Sequence, residues 1–211
     1  MDTFTQYDGE FLIGIQQALN ADWLTPIMKA ITFLGEGGCL MIVLCLLFLI
    51  FKKTRRLGIL CALSLAFTFI CCNLCIKPLV DRTRPWIQFE AVTAFLPPPG
   101  DASFPSGHSA NSMGFAWGMF LATSPVKIGS RKSYEYTPCL GWKGEGGDPE
   151  FWHKMSIIAV VISLLIGLSR LYLGMHFPSD VVFGLLLGMA CAEIVHIIVK
   201  KVEEKHGIIG G

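Results

Sequence analysis

The stretch LGILCALSLAFTFICCNLCI, residues 57–76, decides the fold class of this chain. Its twenty residues carry no charge, and about 20 apolar residues in a helix cross the roughly 30 Å hydrocarbon core of a bilayer. The stretch ends at Lys77. Over all 211 residues, 53% are apolar and only 16% are charged, which is too apolar for an ordinary soluble domain. The sequence therefore predicts an integral membrane protein.

Further apolar stretches lie on both sides of this span. Residues 38–51 precede it, and three more stretches follow it at 108–123, 155–173 and 178–199. The stretch at 108–123 is the least apolar, and a membrane tolerates it if its Ser and Asn side chains face other helices. The charged, glycine-rich residues 124–152 are typical of a loop. These patterns predict an all-α fold, an integral-membrane helical bundle of five to six transmembrane helices.

The N-terminal 36 residues differ from the rest, because acidic residues and Lys29 interrupt their apolar positions. They predict two short amphipathic helices, at about 8–19 and 22–34, that lie in the membrane interface. The predicted division of the chain is therefore an interfacial segment, 1–36, followed by a membrane domain, 37–211.

The cysteines and the net charge exclude several classes of partner. Cys71, Cys72 and Cys75 are clustered, but no second half and no histidine at a zinc-like spacing accompanies them. Seven of the eight cysteines lie in apolar runs as small hydrophobic residues, and only Cys139 lies in a polar stretch. A net charge of +1 offers no basic excess for a nucleic acid. No metal site, cofactor or nucleic-acid partner is predicted, and the oligomeric state is left open.

The placement of the basic residues predicts the orientation in the membrane. If five spans alternate, the segments 52–56, 124–154 and 200–211 share one face, which holds 12 of the 17 Lys and Arg residues. By the positive-inside rule this face is cytoplasmic. The segments 77–105 and 174–178 then face away from the cytoplasm.

Three clusters of polar residues converge on that outward face, at the ends of predicted spans. They are Lys77 to Pro85 (KPLVDRTRP), Pro105 to His108 (PSGH) and Ser169 to Asp180 (SRLYLGMHFPSD). Each residue taken singly has a structural explanation. Lys77 and Arg84 would serve as interfacial anchors, Ser106 as a helix N-cap, and Asp180 as a carboxylate in a first helical turn.

Together, however, the clusters supply the groups that phosphoryl transfer needs. The cations Lys77, Arg84 and Arg170 neutralise phosphate oxygens, and a helix N-terminus at Ser106 and Gly107 would cradle an anion. Two histidines, His108 and His176, can divide nucleophilic and general-acid roles, with the Asp180 carboxylate orienting one of them. A P-loop motif is absent from the sequence, which disfavours nucleotide hydrolysis of that kind.

The pattern Lys77-x6-Arg84-Pro85, Pro105-Ser106-Gly107-His108 and Ser169-Arg170-x5-His176-x3-Asp180 resembles the three-part signature of the type-2 phosphatidic acid phosphatase superfamily. That superfamily also includes vanadium haloperoxidases. The resemblance covers residues 77–180, about half the chain.

The resemblance implies a role for each signature residue. His176 would attack phosphorus, Asp180 would hold the other ring nitrogen, and His108 would protonate the leaving oxygen. The phosphoryl oxygens would be bound by Lys77, Arg84, Ser106, Gly107 and Arg170. The domain at 37–211 would then be a metal-independent membrane phosphatase domain.

The substrate suggested by the resemblance to small bacterial members is undecaprenyl diphosphate, cleaved to the monophosphate at the outer face of the plasma membrane. Phosphatidylglycerol phosphate and phosphatidic acid stay open as alternatives, as does a non-catalytic protein that binds or translocates lipid phosphate. A haloperoxidase is disfavoured by the five apolar spans. We expect an apolar lip for the lipid tail at Phe95, Leu96, Phe104 and Phe177.

Overall fold

A computed structural model describes residues 3–19, 21–124, 126–127, 134–135 and 149–205. Most of the predicted loop at 124–152, with Cys139, lies outside these ranges. The described chain consists of helices joined by turns and loops, with one two-residue antiparallel ladder between Val126–Lys127 and Tyr134–Glu135. The predicted all-α class is confirmed. The helices are α1 Thr3–Leu19, α2 Leu24–Phe33, α3 Cys39–Ile50, α4 Arg55–Phe69, α5 Lys77–Val80, α6 Pro85–Gln88, α7 Gly107–Thr123, α8 Pro149–Tyr172 and α9 Pro178–Lys205.

Four segments of the described chain are long and apolar enough to cross a membrane: Leu24–Ile50, Arg55–Gln88, Glu150–Tyr172 and Pro178–Glu203. The first contains α2, a 3-10 turn at Glu36–Gly38 and α3. The predicted boundary between residues 36 and 37 therefore falls inside a candidate span, and the interfacial position of α2 stays a prediction. Helix α8 begins earlier than the predicted span at 155–173.

The second candidate span changes its winding just before the first polar cluster. Helix α4 continues into a π-helical segment at Ile70–Ile76, and α5 begins directly after it at Lys77. Such wide turns are rare in proteins and are frequent at functional sites. Here the π-helical segment contains Asn73 and leads directly into Lys77, two residues that line the cavity described below.

Helix α7 occupies the centre of the bundle, packed against α4, α8 and α9. Its serines Ser109 and Ser112 are buried against neighbouring helices, as the sequence prediction for this span required. Two glycines permit the close approach. A Cβ at Gly114 would lie 2.3 Å from Thr68 Oγ1, and one at Gly188 of α9 would lie 2.4 Å from a backbone oxygen of α7. Small residues at such crossings are the usual way in which membrane helices pack tightly.

Candidate active site

The three polar clusters meet at one cavity of about 430 Å³ at the ends of α5, α7 and α8. The signature residues on its wall are Lys77, Arg84, Gly107, His108, Arg170 and His176. Ser106 and Asp180 do not line it and are fully buried behind it. The sequence prediction that these helix ends form one site is thus supported by the geometry, with two of the eight residues set back from the cavity.

His176 lies in the short connection between α8 and α9 and is 1% exposed. Its Nδ1 lies 2.8 Å from the carbonyl oxygen of Ser103, and its Nε2 lies 3.2 Å from Arg84 Nη1. A carbonyl oxygen can only accept, so Nδ1 carries the hydrogen and the lone pair is on Nε2. Burial lowers the pKa of His176 to about 4, and the charges of Arg84 and Arg170 act in the same direction. The imidazole is therefore neutral at pH 7, with an unprotonated Nε2.

Asp180 does not contact His176 in the way the sequence pattern implied. Its Oδ2 lies 3.6 Å from His176 Nδ1, too far for a hydrogen bond. The carboxylate instead accepts hydrogen bonds from Arg82 Nη1 at 2.6 Å, Ser103 Oγ at 2.5 Å and the Phe177 backbone N–H at 2.9 Å. In this structure the Ser103 carbonyl accepts the hydrogen bond from Nδ1, Asp180 stays within ion-pair range of the ring, and the role that the resemblance implied for Asp180 stays a prediction. Asp180 acts on His176 through its charge and through Ser103.

Lys77 and Arg84 share one carboxylate, which sequence reasoning missed. Lys77 Nζ and Arg84 Nη2 each lie 2.5 Å from a different oxygen of Asp101. Burial alone would raise the pKa of Asp101, yet hydrogen bonds and charges from Lys77 and Arg84 hold it below its usual range. Asp101 belongs to the proline-rich loop before α7, and its side chain is half exposed. Its only signal in the sequence was an acidic residue between two clusters of the signature.

Arg170 projects into the cavity from the end of α8. Its Nη1 donates a hydrogen bond to Thr32 Oγ1 of α2 at 2.8 Å. Its buried Nε has no hydrogen-bond partner among the described residues. The guanidinium therefore retains donors for an anion in the cavity.

The N-terminus of α7 provides the backbone part of the site. Ser106 is its N-cap, and the hydroxyl accepts hydrogen bonds from the N–H and Oγ of Ser109 at 3.4 and 3.0 Å. Gly107 begins the helix on the cavity wall, where first-turn N–H groups face an anion site. A Cβ at Gly107 would lie 2.8 Å from Asn73 Oδ1, so Asn73 packs directly against this turn.

Two amides extend the polar wall and were not predicted. Asn73 and Asn111 line the cavity, and their buried Nδ2 and Oδ1 atoms lack a hydrogen-bond partner in the described chain. Such atoms are costly to bury unless a ligand or water satisfies them. They mark the side of the cavity next to His108.

His108 faces the cavity from the first turn of α7. Its Nε2 lies 3.3 Å from Oε2 of Glu36, which belongs to the 3-10 turn between α2 and α3. The N-terminal 36 residues therefore contribute a carboxylate to the site, although the predicted domain division set them apart.

Within the described residues, no group of three His, Cys, Asp or Glu side chains is placed to hold a metal ion.

The predicted apolar lip is only partly present. Leu96 lines the cavity, whereas Phe177 is fully buried and cannot contact a lipid tail. Phe177 instead packs against Arg82, whose guanidinium carbon Cζ lies 4.0 Å from the centroid of the Phe177 ring. Phe95 stacks on Tyr172, and Phe104 packs against Phe183. The lip prediction was wrong for Phe177, because the residue after His176 is needed as packing under the site.

Comparison with known proteins gives a family match and several relatives. The model of the PAP2 superfamily matches residues 57–204. The chain is 30% identical over 188 residues to phosphatidylglycerophosphatase B of Bacillus subtilis, covering 87% of this chain and 77% of the relative. It is 27% identical over 180 residues to an undecaprenyl-diphosphatase of Sulfolobus acidocaldarius, covering 84% of this chain and 73% of the relative.

Solved structures show the same architecture. The chain is similar to a transmembrane PAP2-type phosphatidylglycerolphosphate phosphatase from Bacillus subtilis, with a TM-score of 0.66, 26% identity and coverage of 97% and 88% of the two chains. LpxE of Aquifex aeolicus gives a TM-score of 0.64 at 24% identity, covering 88% and 92%, which supports the fold alone. The chain therefore belongs to the PAP2 superfamily, and it is a phosphatase of that family, a hydrolase of phosphate esters or diphosphates that requires no metal.

Proposed function

We infer that this protein cleaves a phosphate from a membrane lipid through a phosphohistidine, and that its leading substrate is undecaprenyl diphosphate, converted to undecaprenyl phosphate. One observation carries the proposal. The unprotonated Nε2 of His176 lies 3.2 Å from Arg84 on the wall of a cationic cavity. A neutral imidazole held among cations is a nucleophile placed where a phosphoryl group would bind.

In the first step, His176 Nε2 forms a bond to phosphorus while the bond from phosphorus to the leaving oxygen breaks. His108 is the general acid, which must take up a proton before this step and give it to that leaving oxygen; the Glu36 carboxylate 3.3 Å from its Nε2 favours the protonated form, whereas burial and the charge of Arg170 oppose it. The positive charge that develops on His176 is stabilised by the Ser103 carbonyl and the nearby charge of Asp180. Lys77, Arg84 and Arg170, with the first turn of α7, neutralise the phosphoryl oxygens.

In the second step, water attacks the phosphohistidine. His108, now neutral, accepts a proton from the water as its oxygen bonds to phosphorus, and the bond from phosphorus to Nε2 breaks. His176 returns to its neutral form, and inorganic phosphate leaves. The protein groups supply all of the charge neutralisation in this scheme.

The choice of a diphosphate is supported by the neutral amides beside His108. The unpartnered Nδ2 of Asn73 is a donor next to the anion cradle, suited to an oxygen of a second phosphoryl group. Similarity to an undecaprenyl-diphosphatase agrees with this substrate class. Retention of His108, His176 and Asp180 favours turnover over a non-catalytic lipid-binding role.

Phosphatidylglycerol phosphate is the second candidate, and one observation favours it. The Glu36 carboxylate lies next to His108, where a leaving alcohol is easier to accommodate than a leaving phosphate. The similarity to phosphatidylglycerophosphatase B points the same way. Phosphatidic acid, which also releases an alcohol, is a further alternative.

The proposed location is the plasma membrane, with the cavity open on the side away from the cytoplasm. The support is the distribution of charge. The short connection between α3 and α4 contains Lys52 and Lys53 next to Arg55 and Arg56, and it lies at the opposite end of the second span from Lys77. Short basic loops stay in the cytoplasm.

The decisive experiment measures phosphate release by purified protein in detergent with EDTA. Undecaprenyl diphosphate, phosphatidylglycerol phosphate and phosphatidic acid are compared at equal surface concentration, with His176→Ala as the blank. A strong preference for the diphosphate supports carrier-lipid recycling. A preference for the glycerolipids would reject the leading substrate, and activity only after added magnesium would reject the metal-free scheme.

A further inference from the structure

A largely buried guanidinium, that of Arg82, connects the N-terminal helix to the candidate active site. Arg82 Nη1 donates hydrogen bonds to Asp180 Oδ1 at 2.6 Å and to Ser179 Oγ at 2.7 Å. Its Nη2 donates to Asp8 Oδ2 of α1 at 2.8 Å. The side chains of Arg82, Asp8 and Asp180 are 12%, 7% and 0% exposed. Arg82 therefore lies between two buried carboxylates, where ionic hydrogen bonds are strong and poorly screened.

Asp8 also holds the start of α9. Its Oδ1 accepts a hydrogen bond from the backbone N–H of Ser179 at 3.1 Å, and its Oδ2 accepts one from the Ser179 hydroxyl. A carboxylate at a helix N-terminus stabilises the first turn, and here that turn carries Asp180. Asp8 thus contacts Arg82, which is the ion-pair partner of Asp180, and it also contacts the backbone of Ser179, next to Asp180.

The contacts continue from Asp180 to the reacting ring. Asp180 Oδ2 accepts a hydrogen bond from Ser103 Oγ, and the Ser103 carbonyl accepts one from Nδ1 of His176. A continuous series of contacts therefore runs from Asp8 through Arg82, Asp180 and Ser103 to His176. Asp8 precedes residues 57–204, which the family model covers.

We propose that Asp8 is a positioning residue for His176 that acts through Arg82. The inference rests on the proposed function of His176 as nucleophile. One guanidinium shared by two carboxylates neutralises only part of the charge of Asp180, so negative charge remains beside the ring. Without the charge of Asp8, Arg82 pairs with Asp180 alone, and less negative charge is left to stabilise the imidazolium that forms in the first step.

The test uses four variants assayed on p-nitrophenyl phosphate and on the preferred lipid. Asp8→Asn keeps the shape and one acceptor for Ser179 but removes the charge. Glu10→Gln is the matched control, since Glu10 is an exposed acid on the same helix, where it accepts a hydrogen bond from Gln6. Arg82→Gln and the double variant Asp8→Asn/Arg82→Gln ask whether the two residues act in one series.

We expect Asp8→Asn to lower kcat about tenfold with KM changed less than about twofold, as for outer partners of a functional imidazole. Glu10→Gln should match wild type, and the double variant should match Arg82→Gln. An unchanged kcat in Asp8→Asn, a change confined to KM, or additive losses in the double variant would each overturn the inference.

A loss of folding is separated from a loss of positioning by thermal unfolding in detergent. If Asp8→Asn does not fold, Arg82→Lys decides the same point, because a lysine carries the charge without the fork that bridges two carboxylates. A lowered kcat with unchanged KM then supports the inference, and wild-type kcat rejects it. Wild-type turnover of p-nitrophenyl phosphate without any lipid turnover would contradict the proposed substrates and leave this test intact.

Discussion

The Asp101 carboxylate lies against the guanidinium of Arg84, with Oδ1 2.5 Å from Nη2. Its other oxygen contacts Lys77, so a single carboxylate pairs with two of the three Lys and Arg side chains that line the cavity among the described residues. An incoming phosphate must displace it or bind beside it. Because Asp101 is half exposed and belongs to a loop, displacement requires movement of one side chain rather than of a helix.

Asp101→Asn should therefore tighten substrate binding. A pair with a half-exposed carboxylate contributes up to about 1 kcal/mol, so KM for the lipid phosphate is expected to fall by up to about fivefold. Steady-state kinetics in detergent micelles measure it, and Asp81→Asn, at an exposed position of the preceding turn, is the control. A raised KM would instead mean that Asp101 orients the two cations for the substrate.

His176→Ala should abolish turnover, with a loss of at least about a thousandfold in kcat, because it removes the proposed nucleophile. His196→Ala, near the C-terminal end of α9 and away from the cavity, is the comparison. Phosphate release and thermal unfolding are measured on both. Activity of His176→Ala within a few-fold of wild type would reject the assignment of the nucleophile.

The stability of the fold should decrease with acidification through the titration of His176. Its pKa is about 4 in the folded protein, against 6.5 in an unfolded chain. Between these values the unfolded chain binds a proton that the folded chain does not, so stability is lost as the pH falls from 6.5 toward 4. The difference in melting temperature between wild type and His176→Ala should shrink over this window. A difference independent of pH would contradict the neutral, buried imidazole.

The proposed orientation predicts from which side of the membrane a reagent reaches Thr93, an exposed residue of the loop before α7. In a background without native cysteines, Thr93→Cys should react with an impermeant maleimide added to intact cells. Lys52→Cys, in the connection between α3 and α4, should react only after permeabilisation. The reverse pattern would mean that the protein has the opposite orientation in the membrane.

Much of the cavity was predictable because its residues are tied to helix ends. Lys77 and Arg84 follow a long apolar run, Gly107 and His108 begin α7, and Arg170 ends α8. An abrupt change from apolar to ionic residues marks a membrane boundary, and boundaries on one face meet in space when the helices form a bundle. The positions of these residues along the chain were therefore enough to predict this part of the site.

The carboxylates that complete the site were not predictable from the sequence. Glu36 meets His108 across 72 positions of the chain, and Asp8 meets Ser179 across 171. A periodic sequence pattern does not predict such contacts, since each contact depends on how the helices and loops pack against one another. Helix α2 itself was predicted, at about 22–34, but its continuation with α3 into one apolar segment, Leu24–Ile50, was not.

The close glycine contacts of α7 fix one wall of the cavity, here called the floor. The opposite wall, here called the roof, is formed by a loop. With Gly114 against Thr68 and Gly188 against the backbone of α7, the helix that presents Gly107 and His108 has no room to shift. The roof consists of Leu96, Pro97, Pro99 and Asp101, which belong to a loop and not to a helix. Divergence toward another lipid headgroup would then proceed by exchanging roof residues, while the phosphoryl-binding floor stays as it is.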